Sequence, residues 1–240
     1  MISIITVTYN AVRTIEATLQ SVASQNFTDY EHIVIDGASS DDTVAIARRY
    51  PGVRILSEKD RGLYDAMNKG LRLAEGQYVI FLNAGDTFHS NHILSAYASE
   101  AQKGKDIIYG DTVIVDSERH IIGSRHLSAP VQLTLDSFSK GMLICHQAFM
   151  VRKELAPAYD LSYRFSADYD WTVRCIAAAD PRKCVNLSLI AIDYLKYGMT
   201  DRNKIASLKE RYRIMCRHYG KGRTILNHIG FLFRALKRKL

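Results

Sequence analysis

Glu31–Asp36 (EHIVID) runs into Gly37-Ala38-Ser39-Ser40-Asp41-Asp42, and Gln77–Asn83 (QYVIFLN) runs into Ala84-Gly85-Asp86. Both runs are rich in Ile, Val, Phe or Tyr, and both stop in small, turn-forming residues. That is the pattern of a buried parallel strand leaving its sheet at the C-terminal end. In open α/β sheets ligands bind outside those ends. Asp36 and Asp86 are therefore expected to face one crevice from two strands.

The neighbouring stretches extend the same rhythm. Ile2–Thr8 (ISIITVT) reads as a first buried strand, and Val12–Ser24 has helical spacing at Ile15, Leu19 and Val22. Asp41-Asp42-Thr43 opens a helix to Arg49, its acids set against the N-terminal dipole. Val53–Ser57 is a short strand, and Tyr64–Glu75 is helical with Met67, Leu71 and Ala74 on one face. The order β-α-β-α-β-α-β with right-handed crossovers gives a parallel sheet covered by helices on both faces. Carboxylates at its strand ends suit a sugar nucleotide, one on the base or ribose and one holding a divalent cation on the diphosphate.

After Asp86 the pattern becomes mixed. His92–Lys103 reads as a helix, Ile107–Val115 and His120–His126 as a hairpin, and Pro130–Ser139 as a short helix. His146–Val151 reads as a strand, Asp168–Ala179 as a helix and Cys184–Tyr194 as a strand. Two helices close the chain, roughly Asp201–His218 and Arg223–Lys239, around Gly220-Lys221-Gly222. The expected division is 1–200 as one catalytic unit, 1–90 its donor half and 91–200 its acceptor half, with 201–240 a basic helical extension.

Composition narrows the classes. With 240 residues, 47% hydrophobic and 24% charged, the chain can bury a full core and is not disordered. Cys145, Cys175, Cys184 and Cys216 lie far apart without a CxxC pair, which argues against a zinc knuckle or disulfide framework and fits a reducing cytosol. The first strand begins at Ile2, leaving no room for a signal peptide. No apolar stretch approaches the roughly 20 residues of a membrane span. A cytoplasmic protein is expected. Of the 32 Lys and Arg and 25 Asp and Glu, twelve and one respectively lie from Arg202 onward, so the net +7 splits into +11 there and −4 before it. A nucleic-acid binder would spread its basic surface over the folded domain, so no nucleic-acid partner is expected.

Four motifs in order carry a resemblance. Ser3–Asn10 (SIITVTYN), Val34–Thr43 (VIDGASSDDT), Gly62–Gly70 (GLYDAMNKG) and Phe81–Asp86 (FLNAGD) resemble the donor half of family 2 glycosyltransferases, which are inverting enzymes of the GT-A fold that use nucleotide sugars. The resemblance is close over about ninety residues and looser beyond. GLYDAMNKG further resembles a bacterial subgroup that builds exopolysaccharides such as colanic acid. The implied fold is a Rossmann-like mixed sheet flanked by helices, with the C-terminal helical extension.

The resemblance implies roles residue by residue. Asp36 reads the base, as a carboxylate offering only acceptors to uracil or guanine; its plainer alternative is a cap on the following turn. Thr8, which ends the first strand, and Tyr9 and Asn10 after it lie beside the nucleotide. Asp86 maps to the DxD-type motif as the ligand of Mg²⁺ or Mn²⁺, with diphosphate and water completing the shell. Asn83 stands where an Asp is common and can touch the ribose, while Gly85 removes a possible acidic pair. Asp65 and Lys69 (or Arg61) are donor contacts or helix-terminal structure. Asp168, in Ser166-Ala167-Asp168-Tyr169-Asp170-Trp171, maps to the catalytic base or else is an N-cap, and Ala167 replaces the customary Glu. Asp170 lies about 200° round the helix from Asp168 and is expected to pair with Arg174. His146-Gln147 and Tyr197–Thr200 map beside the acceptor, and Trp171 is a sugar-stacking ring or core.

The expected partners are a UDP- or GDP-type sugar and a saccharide acceptor, free or polyprenyl-linked. In Arg223–Leu240, Ile225, Ile229, Leu232, Leu236 and Leu240 fall at helical spacing beside Arg234, Lys237, Arg238 and Lys239. A basic amphipathic helix suits an anionic membrane on the inner face of the cell; the alternative is packing on the domain or on a second copy in a homodimer. TYNAVR after the first strand excludes the GxGxxG of an NAD-dependent oxidoreductase. An inactive nucleotide-sugar-binding homologue stays open beside the transferase.

Overall fold

The computed structural model describes residues 1–196 and 204–237, with side chains for 1–196 and 205–229. The first half holds β1 (Ile2–Thr8), α1 (Ile15–Ala23), β2 (Tyr30–Asp36), α2 (Thr43–Ala47), β3 (Val53–Ser57), α3 (Leu63–Leu73) and β4 (Tyr78–Phe81). Then follow β5 (Thr87–Phe88), α4 (Ile93–Gln102), β6 (Ile107–Val115), β7 (Ile121–Ser124), α5 (Leu135–Phe138), β8 (Phe149–Arg152), α6 (Ala167–Ala178), β9 (Cys184–Leu195), α7 (Lys204–Tyr219) and α8 (Lys221–Lys237).

Alternation along the strands sets the layers. Ile5, Val7, Ile33, Ile35, Val79 and Phe81 face one side, where α3 and α6 cover them with Tyr64, Met67, Trp171 and Val173. Ile2, Ile4, Tyr78 and Ile80 face the other, under Ile93, Leu94 and Tyr97 of α4. Val34 meets Ile15 and Leu19 of α1 and Ile46 of α2. Both faces of each strand are apolar, so both need helices. Gly70 fixes how close α3 comes: a Cβ there would sit 2.4 Å from Ile5 Cγ2.

The sheet order is β3-β2-β1-β4-β8-β6-β9-β5, with β7 paired to β6. β1 to β4 are parallel, with Thr8 opposite Asp36 and Asp36 opposite Ser57, so β1, β2 and β3 end together. β8 runs antiparallel to β4 and β6, and β9 runs parallel to β6. The mixed α/β sheet is therefore as expected.

Three readings change. β5 was not foreseen, because two residues carry no periodicity; it pairs antiparallel with β9 at Thr87 and Phe88. The strand expected from His146 starts as a 3₁₀ turn at His146–Ala148, and only Phe149–Arg152 joins the sheet. The C-terminal extension is no mere appendage, because Ile214 and Met215 of α7 are buried in the main core. The four cysteines are free. Among the described residues no helix is long and apolar enough to cross a membrane.

Candidate active site

The end of β1, the loop from β3 into α3 and the loop before α6 enclose a cleft of about 740 Å³. Thr8, Tyr9 and Asp65 line it, as do Arg61, Tyr64 and Arg164. The Tyr9 ring is 66% exposed on this wall, an aromatic face in solvent. Asn10 adopts φ +48°, and Ser40 N–H donates to its Oδ1 at 2.9 Å while its own N–H donates to Ser39 Oγ at 2.8 Å. Asn10 thus locks the β1–α1 loop to the β2–α2 loop. Arg61 Nη2 donates to Asp65 Oδ1 at 3.1 Å, a bond that holds the Asp65 carboxyl below the usual carboxylate range. Lys69 is turned away: its Nζ donates to the Lys59 carbonyl (2.9 Å) and pairs with Glu58 (3.0 Å). Of the two cations the motif offered, Arg61 is the one on the cleft. Arg164 escaped sequence reading, because no motif marks the loop before α6.

The two strand-end carboxylates do lie on one edge of the sheet, but neither opens onto the cleft. Asp36 is fully buried and accepts bonds from Ser39 N, Ser39 Oγ and Ser57 Oγ, the last at 2.6 Å. It ties the β2 turn to the end of β3. Asp86 is buried as well, and the Leu195 N–H donates to its Oδ1 at 2.9 Å. Burial pushes the Asp86 carboxyl up to about 7. Gly85 precedes it at φ +107° in a turn closed by Asp86 N–H to the Asn83 carbonyl (2.9 Å). A side chain there would be strained and would meet Leu195 at 2.9 Å, which explains why no acid stands at 85. Arg119, also unforeseen, reaches in from the β6–β7 turn and donates to the Gly85 carbonyl at 2.7 Å.

Two buried oxygens at this edge, Thr8 Oγ1 and Asn83 Oδ1, have no hydrogen-bond partner among the described residues. Such orphans cost about 1–3 kcal/mol each, and each leaves an acceptor that a polar group could satisfy. Asn83 and Asp86 are oxygen donors suited to Mg²⁺ or Mn²⁺. No group of three or more His, Cys, Asp or Glu stands ready among the described residues. A cation there would need donor diphosphate oxygens to complete its shell.

Asp168 is the second residue of α6, half-buried, with Ser166 rather than Asp168 as the N-cap. Tyr64 Oη donates to Asp168 Oδ1 at 3.1 Å, as does the Tyr169 N–H at 2.9 Å. Tyr64 is thus the link between Asp168 and the cleft. Behind it, Tyr64 stacks on Tyr159, which stacks on Trp171 at 5.0 Å. Trp171 is wholly buried and its Nε1 donates to the Pro157 carbonyl, so it is core and not a sugar platform. His146 Nε2 bonds the Tyr159 hydroxyl at 2.7 Å, and burial pushes the imidazole down to about 4. Asp170 pairs with Arg174 at 2.7 Å, as expected, and with His218 at 2.8 Å. Tyr197–Thr200 lies outside the described residues.

The family model for Glycosyl transferase family 2 matches residues 3–158. A PGL/p-HBAD biosynthesis glycosyltransferase of Mycobacterium bovis is 33% identical over 187 residues, covering 74% of this chain and 70% of the relative. The Escherichia coli UDP-Glc:alpha-D-GlcNAc-diphosphoundecaprenol beta-1,3-glucosyltransferase WfgD is 25% identical over 219 residues, 90% of this chain and 85% of WfgD. Among solved structures, residues 1–349 of S. aureus TarS in complex with UDP superpose with a TM-score of 0.74 at 18% identity, covering 98% of this chain and 72% of that one. The fold and the matched sequence define a glycosyltransferase with a GT-A catalytic domain. The chain belongs to glycosyl transferase family 2.

Proposed function

We propose that this chain is an inverting transferase moving a sugar from a UDP- or GDP-type donor to a hydroxyl of a lipid-linked saccharide, in bacterial surface or exopolysaccharide synthesis. The observation that carries this reading is the hydrogen bond from Tyr64, a wall of the cleft, to Asp168 at the head of α6. The acceptor oxygen attacks the anomeric carbon, Asp168 takes its proton, and the bond to the diphosphate breaks with inversion. Tyr9 stacks on the base, and Arg61 and Arg164 carry charge toward the diphosphate. Asp36 fixes the loop that receives the base; for Asp36 to touch the base itself, its bonds to Ser39 and Ser57 must rearrange. For Asp86, with Asn83, to hold Mg²⁺ or Mn²⁺, its carboxylate must turn from the Leu195 N–H toward the cleft; the cation would then supply positive charge to the leaving diphosphate. Asp65 orients Arg61, and Lys69 stays structural.

We take 1–200 as the catalytic unit and 201–240 as its extension. Ile225, Leu226 and Ile229 of α8 and Ile205 and Leu208 of α7 are exposed, up to 73% at Ile205. The start of α8 packs on the domain, with Thr224 buried and Asn227 bonded to the Ser139 carbonyl, and its exposed apolar residues in a strongly basic segment leave a surface suited to peripheral attachment to an anionic membrane on the cytoplasmic side. A lipid-linked acceptor, as in the name of WfgD, fits that placement. The rival reading is an inactive nucleotide-sugar-binding homologue. Incubation with a panel of UDP- and GDP-sugars, Mn²⁺ and bacterial lipid extract separates the two: a transferase consumes one of the donors, and the homologue leaves all of them intact.

A further inference from the structure

Glu210 is the only acid between Arg202 and Leu240, and it is spent on the backbone in front of α6. One of its oxygens accepts from the Arg164 N–H at 2.8 Å. The other accepts from the Phe165 N–H at 2.7 Å and the Ser166 N–H at 2.9 Å. Three successive N–H groups converging on one carboxylate make a charge-assisted anchor. Ser166 is the N-cap of α6 but makes no side-chain cap bond; its hydroxyl turns instead to Ser207 Oγ of α7 at 3.0 Å. Ala167, fully buried, brings no charge. The backbone leading into α6 therefore receives a carboxylate from α7, beside Asp168 and Asp170 of the helix's own first turn. Negative charge at that end also complements the helix dipole. Asp168 stands two residues after the anchored Ser166, and Arg164, the first anchored residue, lines the cleft.

We propose that Glu210 is a positioning residue for sugar transfer: it holds the 164–166 backbone so that Asp168 meets the acceptor hydroxyl. The C-terminal extension thereby completes the active site and does more than attach it to a surface. The inference rests on Asp168 as the base, and its test keeps the two apart.

Turnover of UDP-glucose with Mn²⁺ and lipid extract, the affinity for UDP and the melting temperature are measured on the full chain for Glu210→Ala, Glu210→Gln, Asp168→Asn and the Glu210→Ala/Asp168→Asn double variant. Glu210→Ala is expected to lower kcat about tenfold while UDP affinity moves less than threefold. Glu210→Gln, keeping one acceptor oxygen and the side-chain volume, loses less. In the Asp168→Asn background Glu210→Ala lowers kcat no further, because both act on one step. If Glu210→Ala does not fold, the Gln variant carries the same comparison. Wild-type kcat in Glu210→Ala beside an inactive Asp168→Asn overturns the proposal alone, as do losses that multiply in the double variant. A fully active Asp168→Asn overturns the base reading and this proposal with it.

Discussion

The first ninety residues and the rest of the chain reach the same sheet by opposite routes. In the first half β1, β2 and β3 each pair with a neighbour one crossover away, and β4 alone reaches back along the chain, to β1. Beyond Asp86 the partners are distant: β8 joins β4 across some seventy residues, β5 pairs with β9 across about a hundred, and Glu210 reaches the α6 approach from α7. The difference also divides the labour. In the proposed reading the first half supplies the cleft wall for the donor, while Glu210 from α7 and Tyr64 from α3 meet around Asp168, where the chemistry is proposed. Donor-side changes should move affinity or stability, and changes on the assembled side should move kcat.

Asp86 sits on the seam, bonded from β9, and its loss should have the largest effect. Asp86→Asn is expected to lower turnover at least a hundredfold; full activity of a variant that still binds UDP would remove Asp86 from the reaction. Next comes a stability term local to β1 and β2. His32 is buried against Thr6 (2.9 Å), and burial pushes it down to about 4. Its folded value is depressed, so the unfolded chain binds more protons between pH 6.5 and 4. Its contribution is full above pH 6.5 and falls through that window by about 3 kcal/mol. Chemical denaturation of His32→Gln against pH should show that slope flattened, and an unchanged slope would assign the acid sensitivity elsewhere.

Gly70→Ala should cost about 1–3 kcal/mol, since the added methyl collides with Ile5 and α3 must lift from β1. A neutral melting temperature would mean that the helix shifts without penalty. The smallest effect is at Tyr9: losing an exposed stacking ring is worth about 1 kcal/mol, or about fivefold in UDP affinity with kcat unchanged. If Tyr9→Ala instead lowers kcat at unchanged affinity, the division between the halves is broken.

The sequence was most legible where structure is local. The ends of β1 and β3 agree with the hydrophobic runs to the residue, and the Asp170–Arg174 pair follows from helical spacing alone. Strand ends located Asp36 and Asp86, but a strand end does not say which way a carboxylate turns. Both turned inward, because Ser39, Ser57 and the Leu195 N–H, contributed in part by other strands, were there to receive them. β5, Arg119 and Glu210 had no periodic signal, since each is defined by a partner far along the chain. The last of these matters most, as a tail read for its basic charge and apolar stripe supplies the carboxylate that anchors the approach to α6.

The account turns on Asp168. Turnover of UDP-glucose with lipid extract and Mn²⁺ should fall at least a hundredfold in Asp168→Asn while the affinity for UDP stays within twofold of wild type. Equal donor consumption by the two proteins would contradict it.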